Sequence, residues 1–368
     1  MIIMITRSIG DPVIMFIMMQ SLVRRRVLLI DSGVYRNGPT QHMHDVLGFD
    51  GVKPAYFRWA ARKQISFYKT VSMKNGSVTK IKSTGSEGDT YFKVYRSHHG
   101  KQEVLTARKV ILGTGLRDLL PKTPGVRENW GNGIYWCAWC DGFEHADQKI
   151  GVLKSLEKSI GTVRQILTLN RDIILFTNGT DTPQAREALE KTTPRWQKFL
   201  RQHSVKIENR PIKSIEKVRG GHTHGDPSLP STPSDNLFRV NFRYGRPVFR
   251  NGFMLEEDPI QASKIGEKMG VHLFGGRLGI NFNSMETNVP GVYAVGDANS
   301  DNSTNVPHAF WSGKRAAVSA HGAIGREDYN RDVKKQRKRA VVEDPRTIWN
   351  RMNGKVGDLL YAGEFDRL

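Results

Sequence analysis

Cys137 and Cys140 are the only two cysteines in a chain of 368 residues, and they stand together in Trp136-Cys137-Ala138-Trp139-Cys140-Asp141-Gly142. Two intervening residues let a disulfide close over the first turn of a helix, and the N–H groups at a helix start favour a thiolate. Asp141 puts a proton donor and acceptor beside the sulfurs. The competing chemistry is half a zinc site. That needs two further ligands, and the remaining candidates are scattered histidines with no second paired cysteine motif. The pair is therefore read as a redox pair, with no metal site expected.

Other candidate residues end apolar runs. Asp31 closes Arg26-Val27-Leu28-Leu29-Ile30, Gly113-Thr114-Gly115 closes Lys109-Val110-Ile111-Leu112, and Gly296-Asp297 closes Gly291-Val292-Tyr293-Ala294-Val295. Apolar runs of this length bounded by glycine suit strands of a parallel sheet covered on both faces. Between them, Val78 to Ile81 and Tyr91 to Tyr95 predict a small antiparallel insert, and Pro121, Pro124 and Gly125 mark a linker. A second alternating unit follows. Strands are predicted at Ile150–Leu153, Asp172–Phe176 and Val205–Glu208, and helices at Ser159–Leu169 and Glu187–His203. Gly220 to Asp235 reads as a surface loop, with His222 and His224 only weak metal candidates. Ala309 to His321 reads as a helix, and the charged stretch beyond Arg326 as a weakly ordered tail. Strands alternating with helices give an α/β fold.

Mean hydropathy is −0.48 and the length allows two domains with substantial cores, which suits a soluble protein. Met1 to Met19 is apolar, but Arg7, Asp11 and Pro12 interrupt it and no small-residue cleavage site follows, so no signal peptide is expected. No stretch is long enough to span a membrane. Two cysteines exclude a disulfide scaffold and suit a cytoplasmic compartment. The formal net charge of +20 admits nucleic acid as a partner, but no nucleic-acid-binding motif accompanies it. A solvated basic surface is the preferred reading. Lys334 to Arg339 (KKQRKR) is its densest run, with nuclear import as the alternative role.

Three motifs in order, Leu112-Gly113-Thr114-Gly115, Cys137-Ala138-Trp139-Cys140-Asp141 and Val292-Tyr293-Ala294-Val295-Gly296-Asp297-Ala298, resemble the FAD-dependent pyridine nucleotide–disulfide oxidoreductases of the thioredoxin reductase type. His42-Met43-His44-Asp45-Val46-Leu47-Gly48 and Asp301-Asn302-Ser303-Thr304-Asn305-Val306-Pro307-His308-Ala309 resemble the fungal gliotoxin-type dithiol oxidases within that group. The resemblance covers about Val23 to Glu327. It implies two Rossmann-like, three-layer ββα domains. An FAD domain would be split into residues 1–121 and 251–325, a domain carrying the cysteines would be inserted at 122–250, and a basic tail would follow at 326–368. It also implies a homodimer.

The resemblance assigns Cys140 to the flavin side, Cys137 to exchange with substrate, and Asp141 to proton transfer. Asp31 would accept from the adenosine ribose, or else serve as a helix or turn cap, and Gly296 and Asp297 would meet the ribityl or pyrophosphate region. Gly113, Thr114, Gly115, Asn305 and Val306 would line the cofactor. His44 and His308 are expected near the flavin, as tuners or as a base, or else as hydrogen-bonded structural residues. Trp136 and Trp139 would wall a pocket for a small dithiol or simply pack.

Two fingerprints of the family are missing. Counting back from Asp31, the pyrophosphate loop should fall at Thr6 to Asp11, where only Gly10 is a glycine. Residues 1–22 thus stand in place of the first strand and glycine loop, and FAD binding is expected to suffer. The second gap is Leu153-Lys154-Ser155-Leu156-Glu157, which lacks a glycine-rich turn, and Phe176-Thr177-Asn178-Gly179-Thr180-Asp181, which lacks a basic cluster for a 2′-phosphate. Both argue against NADPH. The expected function is oxidation of a small-molecule dithiol through the cysteine pair and flavin. The alternatives are an NADPH-dependent thioredoxin reductase acting on thioredoxin, and a catalytically impaired basic binding protein that has lost FAD.

Overall fold

The computed structural model describes residues 1–6, 12–85, 90–221, 225–230, 232–255 and 258–334, without the side chains of 12–14 and 334. Gly10, His222, His224 and most of the KKQRKR run lie outside the described residues. The chain divides into two compact units. Unit 1 comprises residues 1–36, 58–116 and 261–368, and unit 2 comprises 37–57 and 117–260. Three stretches expected in the split domain, 37–57, 117–121 and 251–260, group instead with unit 2.

Unit 1 begins with β1 (Ile2–Thr6), α1 (Pro12–Leu22), β2 (Val27–Asp31), α2 (Pro54–Ile65, of which residues from Arg58 belong here) and β3 (Val71–Asn75). An antiparallel meander follows, β4 (Ser77–Thr84), β5 (Tyr91–His98) and β6 (Lys101–Ala107), and then β7 (Lys109–Gly113) and β8 (Leu116–Arg117). Unit 2 holds β9 (Ile134–Tyr135), α3 (Ala138–Asp141), β10 (Ile150–Leu153), α4 (Leu156–Ile166), β11 (Ile173–Phe176), α5 (Pro183–Thr192), α6 (Trp196–Gln202) and β12 (Lys206–Glu208). A second meander, β13 (Ile212–Arg219), β14 (Leu237–Phe242) and β15 (Val248–Arg250), leads to β16 (Gly252–Met254) and β17 (Ile260–Gln261). The chain returns to unit 1 through α7 (Ile265–Lys268), β18 (Leu273–Phe274), β19 (Arg277–Leu278), β20 (Val292–Ala294) and α8 (Val306–Lys334).

Each unit carries a five-stranded parallel sheet, in the order β20-β7-β1-β2-β3 in unit 1 and β12-β11-β10-β16-β9 in unit 2. Strand alternation explains the layers. Ile2, Met4, Val27 and Leu29 pack with Phe16 and Ile17 of α1 and Ala316, Ala317 and Ala320 of α8. Their neighbours Ile3, Ile5, Leu28 and Ile30 pack on Ile81, Phe92 and Val94 of the meander. Unit 2 repeats the pattern. Ile150 and Val152 face α4, α5 and α6, while Leu153, Phe176 and Phe253 face Ile215, Phe238 and Val240. Both units are therefore three-layer ββα sandwiches.

Three expectations need correction. The first strand is present: Ile2 to Ile5 are 0–5% exposed, and β1 sits at the centre of its sheet, in register with β2 and β7. Its four apolar side chains can serve both cores, which is the requirement for a central parallel strand. The helix expected over Glu187–His203 is two helices, because Pro194 ends the first and Arg195 takes a left-handed φ of 64°. The expected tail at 326 is helical through Lys334. There Glu327 takes hydrogen bonds from Arg108 and Lys109, and Asp328 from Arg108 and Arg25.

Candidate active site

Cys137 and Cys140 are joined as a disulfide with a Cα–Cα distance of 5.2 Å. Strand β9 delivers Cys137 in an extended conformation, φ −132° and ψ 121°, as the residue capping α3. The Cys137 carbonyl accepts from Cys140 N at 3.2 Å and from Asp141 N at 3.3 Å, and this single turn brings the sulfurs together. A helix of four residues supplies one turn's dipole and no more. Gly142 is required: a Cβ there would lie 2.3 Å from the Ala138 carbonyl oxygen. Trp139 is 74% exposed and Phe143 66% exposed. With His44, Asp50, Gln165 and Leu169 they line an open cleft of about 530 Å³ in unit 2. Trp136 is half-buried and does not line that cleft.

The cysteine turn also assembles a set of acids and an imidazole. The 3-10 turn Phe143–His145 directly after α3 buries Glu144. Glu144 Oε1 lies 2.6 Å from His44 Nε2, and His44 Nδ1 lies 3.2 Å from both Asp50 oxygens. The Glu144 hydrogen bond pushes His44 up to about 9, against the opposing effect of burial. Burial, and then the Glu144 carboxylate, push Asp141 up to about 8, with His44 pulling the other way. At neutral pH Asp141 is thus a neutral acid beside Cys140, and His44 is an imidazolium. Glu144 was not among the residues picked from the sequence. Its signal was its spacing, three residues after Asp141 in Cys140-Asp141-Gly142-Phe143-Glu144.

The remaining predicted residues lie in unit 1, at the carboxyl ends of its parallel strands, where open α/β sheets bind ligands. Asp31 is 4% exposed at the end of β2. Its Oδ1 accepts from Gly33 N at 2.9 Å, and its Oδ2 accepts from Tyr35 OH at 2.5 Å and from Arg62. It therefore caps its own turn while facing an open cleft shared with Ser32, Gly33 and Asn75. Gly113 is in register with Thr6, and Gly115 takes φ 64° while its carbonyl accepts from Ala262 N at 3.0 Å. Thr114 Oγ1 is buried and makes no hydrogen bond among the described residues. Gly296 has φ 63° and donates to Ser312 Oγ at 3.0 Å. Asp297 is fully buried; Arg36 Nη1 meets its Oδ2 at 3.0 Å, and its Oδ1 has no hydrogen-bond partner among the described residues. Burial pushes Asp297 up, and Arg36 opposes the shift.

Asn305 Oδ1 accepts from His308 N at 2.7 Å, which makes Asn305 the N-cap of α8, and Val306 is buried at its first turn. His308 Nε2 lies 3.0 Å from Asp301 Oδ1 at ion-pair range, but without hydrogen-bond geometry. His44 and His308, expected about one flavin, belong to different units.

These residues can be tested against the two nucleotide cofactors. Two buried polar atoms with no partner among the described residues, Thr114 Oγ1 and Asp297 Oδ1, follow the adjacent strands β7 and β20. They fit a hydroxylated ligand such as FAD, because buried polar atoms in native proteins are almost always bonded. The region expected to hold NADPH in unit 2 does not fit. The first free amide of α4, Leu156 N, donates to Thr180 Oγ1 at 3.1 Å. The pocket beside it holds only about 140 Å³ among Leu153, Phe176, Ile212, Ile215 and Leu255, and Lys154 is its one charged lining residue. Past β11, Asp181 holds Arg186 through two bonds of 2.5 and 2.7 Å, an acid where a 2′-phosphate would need bases. Among the described residues, no group of three histidine, cysteine, aspartate or glutamate side chains is placed to hold a metal ion.

No protein-family model matches the chain. It is 44% identical over 310 residues, 83% of its length, to a probable thioredoxin reductase of Arthroderma benhamiae, of which it covers 76%. It is 26% identical over 302 residues to thioredoxin reductase tcpT of Claviceps purpurea, covering 80% of this chain and 85% of that one. Among solved structures, HlmI superposes with a TM-score of 0.73 at 27% identity, over 90% of this chain and 95% of its own. With that level of identity, the same architecture and a cysteine pair closed at the end of β9, the chain belongs to the thioredoxin reductase-like family of thiol–disulfide oxidoreductases.

Proposed function

We propose that this chain is an FAD-dependent oxidase of small-molecule dithiols. The observation that carries the reading is the Cys137–Cys140 disulfide, set beside an open aromatic cleft in a unit whose nucleotide region does not fit NADPH. A substrate thiolate attacks Cys137 Sγ, the S–S bond breaks, and Cys140 leaves as a thiolate. Asp141 holds a proton at neutral pH and gives it to that thiolate. The second substrate thiolate then attacks the mixed disulfide at the substrate sulfur, releasing the oxidised substrate and leaving Cys140 as a thiol and Cys137 as a thiolate. Trp139 and Phe143 offer apolar faces to the substrate.

Asp31, Thr114, Gly296 and Asp297 are the residues that would hold FAD, which when bound takes the electron pair from the reduced cysteines. Oxygen is the proposed final acceptor. The reductase alternative needs a nicotinamide site that unit 2 does not offer. The binding-protein alternative rested partly on loss of the first strand, and β1 is in place.

The visible absorption spectrum of the purified protein tests this reading. Bands of oxidised flavin, dithiol-dependent oxygen uptake and loss of that uptake in Cys140→Ser are expected. Rapid flavin bleaching by NADPH would replace the proposal with the reductase reading. A protein that stays colourless after FAD is added would end it.

A further inference from the structure

The acids and imidazole beside the disulfide connect two spaces. Asp141 and Glu144 both line a small polar cavity of about 30 Å³, room for a single water molecule. Glu144 is buried, and its Oε1 sits 2.6 Å from His44 Nε2. His44 in turn lines the open cleft next to Trp139 and Phe143. Its outer nitrogen, Nδ1, faces Asp50, whose side chain is 62% exposed. The order from inside to outside is therefore Asp141, cavity, Glu144, His44 and cleft.

We propose that Glu144 and His44 carry protons between the open cleft and Asp141, with Glu144 as the positioning residue that joins the two. The inference rests on the reading that a dithiol reduces Cys137–Cys140, and it adds how the proton donor is reset. An imidazole can do this because one ring nitrogen accepts a proton as the other releases one. Starting as an imidazolium, His44 gives its Nε2 proton to Glu144, and the neutral ring is then recharged by the proton that the substrate S–H loses in the cleft. Glu144 passes a proton across the cavity to Asp141, which has just protonated the Cys140 thiolate. One proton leaves the substrate and one arrives at cysteine. The electron pair moves separately, from the substrate sulfur into the broken S–S bond.

Other titratable groups nearby do not offer the same route. Tyr135 is buried, and the Asp141 and Glu144 charges add to burial in holding its hydroxyl protonated. His145 is held below its ordinary value by burial, bonds Gln148 at 3.1 Å and stacks on Tyr135; Lys217 is the cation that acts on it. Neither Tyr135 nor His145 lines the cleft. The shifts that hold His44 charged and Asp141 protonated at pH 7 agree with the geometry.

The test follows reduction of the Cys137–Cys140 disulfide by dithiothreitol in the full chain, with thiols trapped by alkylation and counted by mass. No flavin signal is needed. His44→Ala should slow reduction about a hundredfold at pH 7, the low end for a general acid–base contribution. Added imidazole should restore the rate, because it can occupy the vacated place in the cleft. Glu144→Gln should slow reduction to a similar extent without rescue by imidazole. The wild-type rate per dithiolate should fall as pH rises through about 8, and in His44→Ala that fall should move to higher pH, because the imidazolium that pulls Asp141 down is gone. A His44→Ala protein with the wild-type rate and pH profile would overturn the relay, as would a slow one that imidazole does not rescue. A wild-type disulfide that dithiothreitol cannot reduce would instead defeat the proposed function itself, and the relay with it.

Discussion

Replacing Asp141 by Asn probes the strongly displaced acid beside the cysteine pair. The Asp141 carboxyl is pushed from its ordinary 3.8 up to about 8 by burial and by Glu144. The folded chain therefore holds this proton more tightly than the unfolded chain does. The stability tied to that proton is fully present below 3.8 and is lost as pH rises through about 8. Each pH unit in that window costs about 1.4 kcal/mol, so the two units from pH 6 to pH 8 cost at most ~3 kcal/mol. Asp141 is only half-buried by surface area, so water access should reduce this to roughly 1.5 kcal/mol. Asn has no proton to lose. The variant should gain on the wild type by that amount between pH 6 and pH 9, whatever its absolute stability. His44 titrates in both proteins. Its raised value adds stability that is lost from 6.5 through about 9, and this largely cancels in the difference. Urea unfolding followed by tryptophan fluorescence is the assay, since Trp130, Trp136, Trp139 and Trp196, four of the seven tryptophans, lie in unit 2. A variant-minus-wild-type difference that stays constant or shrinks from pH 6 to pH 9 would show that Asp141 is an ordinary ionised carboxylate.

Two further substitutions address the cofactor side and the segment 37–57. Arg36→Met strips the close countercharge from Asp297 in a pair whose side chains are 3% and 1% exposed. It should cost unit 1 about 3–5 kcal/mol and lower the FAD retained per chain, read from thermal melting and the visible spectrum; unchanged values for both would refute a structural role for the pair. Gly131→Ala places a Cβ 2.6 Å from the Pro39 carbonyl carbon at a residue with φ +71°. It should cost about 1–3 kcal/mol and expose residues 37–57 to limited proteolysis, whereas a wild-type cleavage pattern would mean that the segment is held elsewhere.

The strands were legible in the sequence because buried parallel strands are uninterrupted apolar runs, as in Val27–Ile30 and Val110–Leu112. Ile2–Ile5 is just as plain a run. It was discounted because the glycine loop after it was missing, although strand formation depends on burial and pairing, not on the loop's affinity for phosphate. The cysteine pair and Asp141 were legible from spacing alone. Glu144 and its bond to His44 were not, since that contact spans 100 residues of sequence. Nor could the sequence tell that Asn305 spends its side-chain oxygen on a helix cap, or that the Asp31 carboxylate is already held by Gly33, Tyr35 and Arg62. These are decisions of tertiary packing among groups able to bond several partners.

The interleaving of the two units sets the order in which they can be completed during synthesis. Unit 1 needs β20 against β7, and β20 leaves the ribosome only after all of unit 2 has been made. Unit 2 is whole once residue 260 has emerged. The nascent chain can thus close its cysteine turn while β1, β2, β3 and β7 still await their last neighbour. Unit 2 can therefore be completed first, against the usual N-to-C order of domain folding. A fragment meant to represent the redox unit must begin by residue 37, because the stretch bearing His44 is made some 60 residues ahead of the rest of that unit.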